Sequence, residues 1–160
     1  KNRKKWNEQD KGNSRVNSTL AKQIANWVIL YSPMQMAADL IENYEGHPAF
    51  QFFRDFDADC DASEALMGEP GEFIVIVRQA KDKFFLGAST NDQAREVQVS
   101  LDFLKKGKTY DAVIYADAPD ADWKTNPTAY VILRQKVTAN DTIVVKMVEG
   151  GGQAVTFIPK

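Results

Sequence analysis

Residues 72–101 read EFIVIVRQAKDKFFLGASTNDQAREVQVSL, and the fold turns on how this stretch is read. Glu72 to Arg78 is an apolar run of strand length, suited to burial on both faces. Phe84 to Ala88 pairs with it across the polar turn Lys81-Asp82-Lys83. Glu96 to Leu101 alternates, with Val97, Val99 and Leu101 inward and Gln98 and Ser100 outward. Further strands are expected at Tyr110–Tyr115, Tyr130–Val137, Thr142–Val148 and Gln153–Ile158, with a shorter one around Ala65 to Met67. Lys106-Gly107, Asn140-Asp141 and Gly150-Gly151-Gly152 supply the turns between them. Seven or eight short strands with no helix between them predict a mainly β domain over 61–160, an antiparallel β-sandwich.

Upstream of about Asp61 the periodicity is helical. Asn17 or Ser18 can cap a helix, and Leu20, Ile24, Trp27, Val28 and Tyr31 follow at helical spacing. Ala21, Ala25, Ile29 and Leu30 fill its other faces, so burial on most sides is expected. Pro33 places the helix end near Ser32. Met34 to Ala38 is a short apolar run of strand length ending at Asp39. Leu40 to Gly46 is polar and turn-rich. His47 to Phe56 reads as a second short helix, with Pro48 in its first turn and Phe50, Phe53 and the stem of Arg54 as candidates for its inner stripe. Three regions are therefore expected: a polar, basic tail over 1–15, a helix-strand-helix segment over 16–60, and the sandwich over 61–160.

Composition excludes several classes. The chain has 160 residues, 44% of them hydrophobic and 26% charged, an ordinary globular balance. Its net charge of −2 excludes a generally basic nucleic-acid binder. One cysteine, Cys60, excludes an internal disulfide framework and a cysteine-based zinc site. The single histidine, His47, excludes a histidine-rich metal site. No apolar run reaches the roughly 20 residues of a membrane span, and Lys1 to Arg15 lacks the apolar core of a signal peptide. With no initiator Met at its start, a fragment or a processed product is expected.

The chemistry-bearing residues are few. Asp55, Asp57, Asp59 and Asp61 alternate, as calcium-binding carboxylates do, but positions 6 and 12 of an EF-hand loop are wrong in either register. An acidic linker between helix and sandwich is the reading preferred. No serine lies in a nucleophile elbow, and His47 beside Pro48 reads as a surface or capping residue. The glycines at 150–152 lead into a strand rather than a helix, which makes them a turn and not a phosphate loop. Asn17-Ser18-Thr19 and Asn140-Asp141-Thr142 match the weak glycosylation sequon. Trp123 and Tyr130 flank the polar loop DADWKTNPTAY. Such rings beside carboxylates and amides can stack on sugars, or they can simply pack at a strand start.

Three stretches resemble one family. NSRVNSTLAKQIANWVILYSPMQMAADLIENYEGHPAFQFFRDF, over 13–56, is similar to the end of the catalytic barrel of glycoside hydrolase family 97. DADWKTNPTAY and GGGQAVTFIP resemble that family's C-terminal β-sandwich. The resemblance implies an N-terminal β-sandwich, a (β/α)8 barrel and a C-terminal β-sandwich in an α-glucosidase or α-galactosidase. Met34 to Asp39 would then be the eighth barrel strand and His47 to Phe56 the last barrel helix. The family's catalytic carboxylates and calcium ligands lie upstream. No catalytic residue, metal ligand or cofactor is therefore assigned here, and Glu42 and Glu45 match no catalytic motif. Asp39, at the end of the barrel strand so implied, is a candidate for the substrate rim, or a turn cap. The implied partners are the rest of the glycosidase and its oligosaccharide substrate, in a periplasmic setting. A free-standing carbohydrate-binding module and a structural interaction domain are the alternatives. The first does not explain the buried-type helix at the start, and the second does not explain the barrel-like stretch.

Overall fold

In the structure, a computed structural model, residues 16–37 and 40–160 are described. Three helices, α1 (Leu20–Ile29), α2 (Ile41–Tyr44) and α3 (Phe50–Asp55), precede eight strands. These are β1 (Ala62–Glu69), β2 (Phe73–Ala80), β3 (Lys83–Thr90), β4 (Arg95–Ser100), β5 (Tyr110–Asp117), β6 (Tyr130–Val137), β7 (Thr142–Met147) and β8 (Gly152–Pro159). The strands expected in the sandwich are all present, and the one around Ala65 to Met67 extends to eight residues.

Six strands form one antiparallel sheet in the order β1-β2-β3-β8-β5-β6, and β4 pairs with β7 in a second, smaller sheet. Strand alternation sends two sets of side chains to opposite faces of the large sheet. Phe84, Leu86, Tyr110, Ile114, Val155 and Phe157 face the small sheet, where they meet Val99, Ile143 and Val145. Phe85, Val113, Tyr115 and Ala154 face the other way, beneath Ile24, Ala25, Val28 and Phe52 of the helical segment. The large sheet is covered on both faces, which is why EFIVIVR is apolar without strict alternation. The molecule has three layers: small sheet, large sheet and helices.

The acidic linker is built into this arrangement. Asp61 accepts the Lys81 backbone N–H and Asp57 pairs with the Lys81 ammonium at 3.0 Å. Together they hold the β2–β3 turn, where Lys81 takes a φ of 59°. Among the described residues, no group of three His, Cys, Asp or Glu is disposed to hold a metal ion. No described helix is long and apolar enough to cross a membrane.

Four expectations for the segment are corrected. Helix α1 ends at Ile29 rather than near Ser32, because Leu30 leaves helical geometry at φ −91° and ψ 72°. Its fully buried residues, Ala21, Ile24, Ala25 and Val28, lie on one face only, against the sheet, and the rest of the helix is half-buried, with Trp27 against Phe53 and Phe56. In α3, which starts at Phe50, the fully buried ring is Phe52, because it packs on Phe85 and Tyr115 of the sheet, while Phe50 and Phe53 are half-buried against Tyr44 and Trp27. Within Met34–Ala38, residues 34–37 form no strand, and Met34 and Met36 are 76% and 79% exposed. A parallel strand needs hydrogen-bonding neighbours, and none among the described residues lies beside it. Asp39, the rim candidate, lies outside the described residues, as do Ala38 and the basic tail.

Candidate functional site

The chemically most specific region is the seat that the sandwich provides for α1. A helix leaves its first N–H groups and last C=O groups without internal partners, and here the sandwich supplies partners at both ends. At the N-terminus, Thr19 Oγ1 caps the Lys22 N–H at 3.2 Å. The Thr19 N–H donates to the Gly150 carbonyl at 3.1 Å and the Leu20 N–H to the Pro127 carbonyl at 2.7 Å.

At the C-terminus, Arg78 reaches out of β2. Its guanidinium is 7% exposed as a residue and donates through Nε to the Val28 carbonyl and through Nη2 to the Ile29 carbonyl at 3.4 Å. Nη1 donates to Ser63 Oγ at 2.9 Å, and the guanidinium carbon stands 4.6 Å from the centre of the Tyr31 ring. A cation at a helix C-terminus is favoured by the macrodipole as well as by the hydrogen bonds. Gln35 adds a donor to the Trp27 carbonyl at 3.2 Å.

Between the ends, glycines let the backbones approach. A Cβ on Gly87 would stand 2.7 Å from the Ala25 carbonyl oxygen and 2.8 Å from Val28 Cβ. One on Gly152 would stand 2.6 Å from Lys22 Cα. A glycine inside a strand often marks such an approach, and FLGAST carried that signal unread. The triple glycine is a turn, as expected, but its members have separate duties. Gly150 takes a φ of 62°, Gly152 gives room to α1, and Gly151 gives room to Asp117, whose Oδ2 would be 2.1 Å from a Cβ there.

Asp117, at the end of β5, ties this loop together. Its Oδ2 accepts the Gly152 N–H at 3.0 Å and the Val148 N–H at 3.2 Å, while Oδ1 is buried without a hydrogen-bond partner. Burial raises its pKa, against the opposing influence of the Thr19 hydroxyl, the two amides and the Lys22 ammonium. Lys22 donates to the Thr90 carbonyl at 2.7 Å, and burial lowers its own pKa, with Asp117 acting in the opposite sense.

The two aromatic candidates sit at the border of the same seat. Tyr130 stacks on His47 with ring centres 5.5 Å apart and an interplanar angle of 23°, and His47 Nδ1 accepts the Ala49 N–H at 3.3 Å. His47 thus braces the turn just ahead of α3, a helix whose N-cap, Ala49, makes no side-chain cap bond. Trp123 lies against Gly150, and the Lys124 ammonium stands 4.9 Å from the ring centre. The polar groups of their loop are turned on one another. Asp122 accepts from the Lys124 and Thr125 amides and the Thr125 hydroxyl, which lowers its pKa, and Asn126 Nδ2 donates to Asp120. Both rings thus pack on neighbouring groups of this chain, Trp123 on Gly150 and Tyr130 on His47. Arg78 and Asp117 were missed by the sequence reading. The one available signal was a charged residue near the end of each of two buried strands.

Comparison with known proteins agrees with this architecture. Residues 59–158 match the family described as "Glycosyl-hydrolase 97 C-terminal, oligomerisation". The chain is 33% identical over 104 residues to a retaining alpha-galactosidase of Bacteroides thetaiotaomicron, a match over 64% of this chain and 16% of that protein. It is also similar to a Glycoside Hydrolase Family 97 enzyme from Pseudoalteromonas sp. strain K8 solved in complex with acarbose. That match has 45% identity and a TM-score of 0.88, over 91% of this chain and 23% of that one. A beta-arabinopyranosidase, at 22% identity and a TM-score of 0.70, shares the fold. The chain thus spans a small part of each relative, and the Pseudoalteromonas match extends beyond the sandwich into the helical segment. With its sandwich matched from one end to the other, the chain belongs to the C-terminal family of glycoside hydrolase 97.

Proposed function

We propose that this chain is the C-terminal, non-catalytic part of an α-glycosidase that cleaves α-glucosidic or α-galactosidic bonds in oligosaccharides. In this reading residues 16–56 are the end of the catalytic barrel and the sandwich supports it. The observation that carries the reading is the two-sided character of the segment. One face is fastened to the sandwich at both ends of α1, while Leu30, Met34, Met36, Leu40 and Ile41 are exposed on the other. Apolar surface of that extent is expected to meet further protein, and a barrel is the partner the family provides.

Glycosidic cleavage needs two carboxylates flanking the bond, whereas Asp57, Asp61, Asp117 and Asp122 hold turns and the seat of α1. The reaction's carboxylates, and the calcium expected in the parent family, belong to the remainder of the protein. The periplasm is the proposed setting, and self-assembly through this domain is proposed from the family's description. Asp39 keeps its proposed place at the substrate rim, and Asp39→Asn in the full-length protein should lower kcat/KM without moving Tm.

The decisive assay uses nitrophenyl α-glucoside and α-galactoside. The full-length protein should turn over one of them and the isolated chain neither. Turnover by the isolated chain, abolished by replacing one of its acids, would overturn the proposal.

A further inference from the structure

The large sheet has two edges, and they are built differently. Edge strand β1 is interrupted by a bulge between Ala65 and Met67, contains Gly68, and carries Glu64 and Glu69. Bulges and charges of this kind are how natural edges resist pairing. Edge strand β6 pairs with β5 in an unbroken register from Tyr130 to Val137. It holds no proline and no glycine, and no described residue pairs with its outer side.

Alternation places Val131, Leu133, Gln135 and Val137 on the face toward the small sheet. Val131 packs against that core and Val137 is buried within it, but Leu133 between them is 54% exposed. Leu133 is the residue opposite Ile114 on β5, so the apolar face continues outward to the edge and stops there uncovered.

We propose that the outer edge of β6, centred on Leu133, is where a second copy of this chain adds strand to strand, joining the two large sheets across a two-fold axis. The inference rests on the family reading, which supplies self-assembly but not its surface. The strand is complementary to itself. Antiparallel pairing centred on Leu133 sets Leu133 against its counterpart, Gln135 opposite Val131, Arg134 opposite Ile132 and Lys136 opposite Tyr130. No cation faces a cation, whereas centring on Arg134 would oppose two guanidinium groups, and like charges directly opposite are unfavourable. Edge addition of this kind gains main-chain hydrogen bonds along the strand.

The test is the mass of the chain by light scattering and sedimentation over a range of concentrations. The wild type should be a dimer. Leu133→Lys and Leu133→Glu, each placing like charges across the axis at an exposed position, should weaken it at least about tenfold with Tm unchanged. Mixing the two variants should restore a dimer, and Ala65→Lys on the other edge should leave the mass unchanged. A monomeric wild type overturns the proposal. So does a Leu133→Lys dimer as tight as the wild type, the result expected if the exposed methionines of the segment drove association. Loss of the proposal in either way leaves the glycosidase reading intact, since that reading stands or falls on turnover by the full-length protein.

Discussion

In the sandwich, Leu86, Tyr110, Val155 and Phe157 are closed off between two sheets, whereas in the segment before it Leu30, Met34, Met36, Leu40 and Ile41 all face outward. The first region completes its own core. The second buries one stripe of α1 and the Phe52 ring, and only because another region offers them a floor. The segment therefore depends for its fold on the floor that the sandwich offers it.

Separating the two regions is the severest way to break the comparison. A piece covering 57–160 should unfold cooperatively, because roughly 100 residues can bury an adequate core. It should also be less stable than the whole and prone to associate, since Phe85, Val113 and Tyr115 lose their cover. A piece covering 16–56 should show no cooperative transition, because a ten-residue helix is marginal in water without packing. Thermal scans by circular dichroism decide this, and a cooperative, monomeric melt of the short piece would erase the distinction.

Gly87→Val attacks the contact between the regions and leaves each one's interior alone. Its first carbon would meet the Ala25 carbonyl, a backbone group that cannot turn aside. A loss of about 3 kcal/mol is expected, concentrated in the segment, with protease cleavage appearing in 30–56 before the sandwich melts. Equal loosening of both regions on hydrogen exchange would mean that the seat is not a boundary.

The two regions also differ in how much of them was legible in sequence. The strands were, because period-two alternation and turn residues are local signals, and β4 and β7 show them cleanly. The seat was not, because its partners are remote: Arg78 and Val28 are fifty residues apart, and nothing in VILY announces which donor will take its carbonyls. The apolar run at 34–38 has strand composition, but composition does not supply the neighbours a barrel strand needs. Phe52 was missed in favour of Phe50 and Phe53 because all three rings find partners, and only the tertiary packing decides that Phe52 meets the sheet while the other two meet Tyr44 and Trp27. For the site, the glycines at 87 and 150–152 were the readable clue. Trp123 and Tyr130 were read as loop-flanking rings that can stack on sugars or pack at a strand start, and here they lie against Gly150 and His47.

Arg78→Met sharpens the comparison, since it keeps the stem's volume and removes the donors. The Val28 and Ile29 carbonyls would lose their partners at the close of α1. A cost of about 2 kcal/mol is expected for hydrogen bonds from a charged group, seen as a lower Tm. Arg78→Lys should recover only part of it, because an ammonium cannot reproduce the fork that reaches two carbonyls and Ser63 together. Full recovery by lysine would show that charge alone closes the helix.

The smallest expected effect concerns Asp117, and its sign distinguishes burial from pairing. The carboxyl lies at the other end of α1, with one oxygen bonded to two amides and the other buried without a partner. Burial raises its pKa in the folded state, the largest of the influences on it. Its proton is therefore held more tightly in the folded chain than in the unfolded one. As pH rises through the window between the ordinary carboxyl value, about 3.9, and the raised folded value, the unfolded chain releases its proton first. Stability from this group is present below that window and falls across it. The amide of Asp117→Asn has no such step and keeps an oxygen for Val148 and Gly152. The stability of wild type minus that of the variant should therefore decline as pH goes from about 3.5 toward neutrality. This is opposite to the usual behaviour of a paired carboxylate. Denaturant melts of both proteins at several pH values measure the difference directly. A difference that grows with pH would mean that Lys22 and the two amides outweigh burial, making Asp117 an ion-pair anchor for α1 rather than a buried acid accommodated by Gly151.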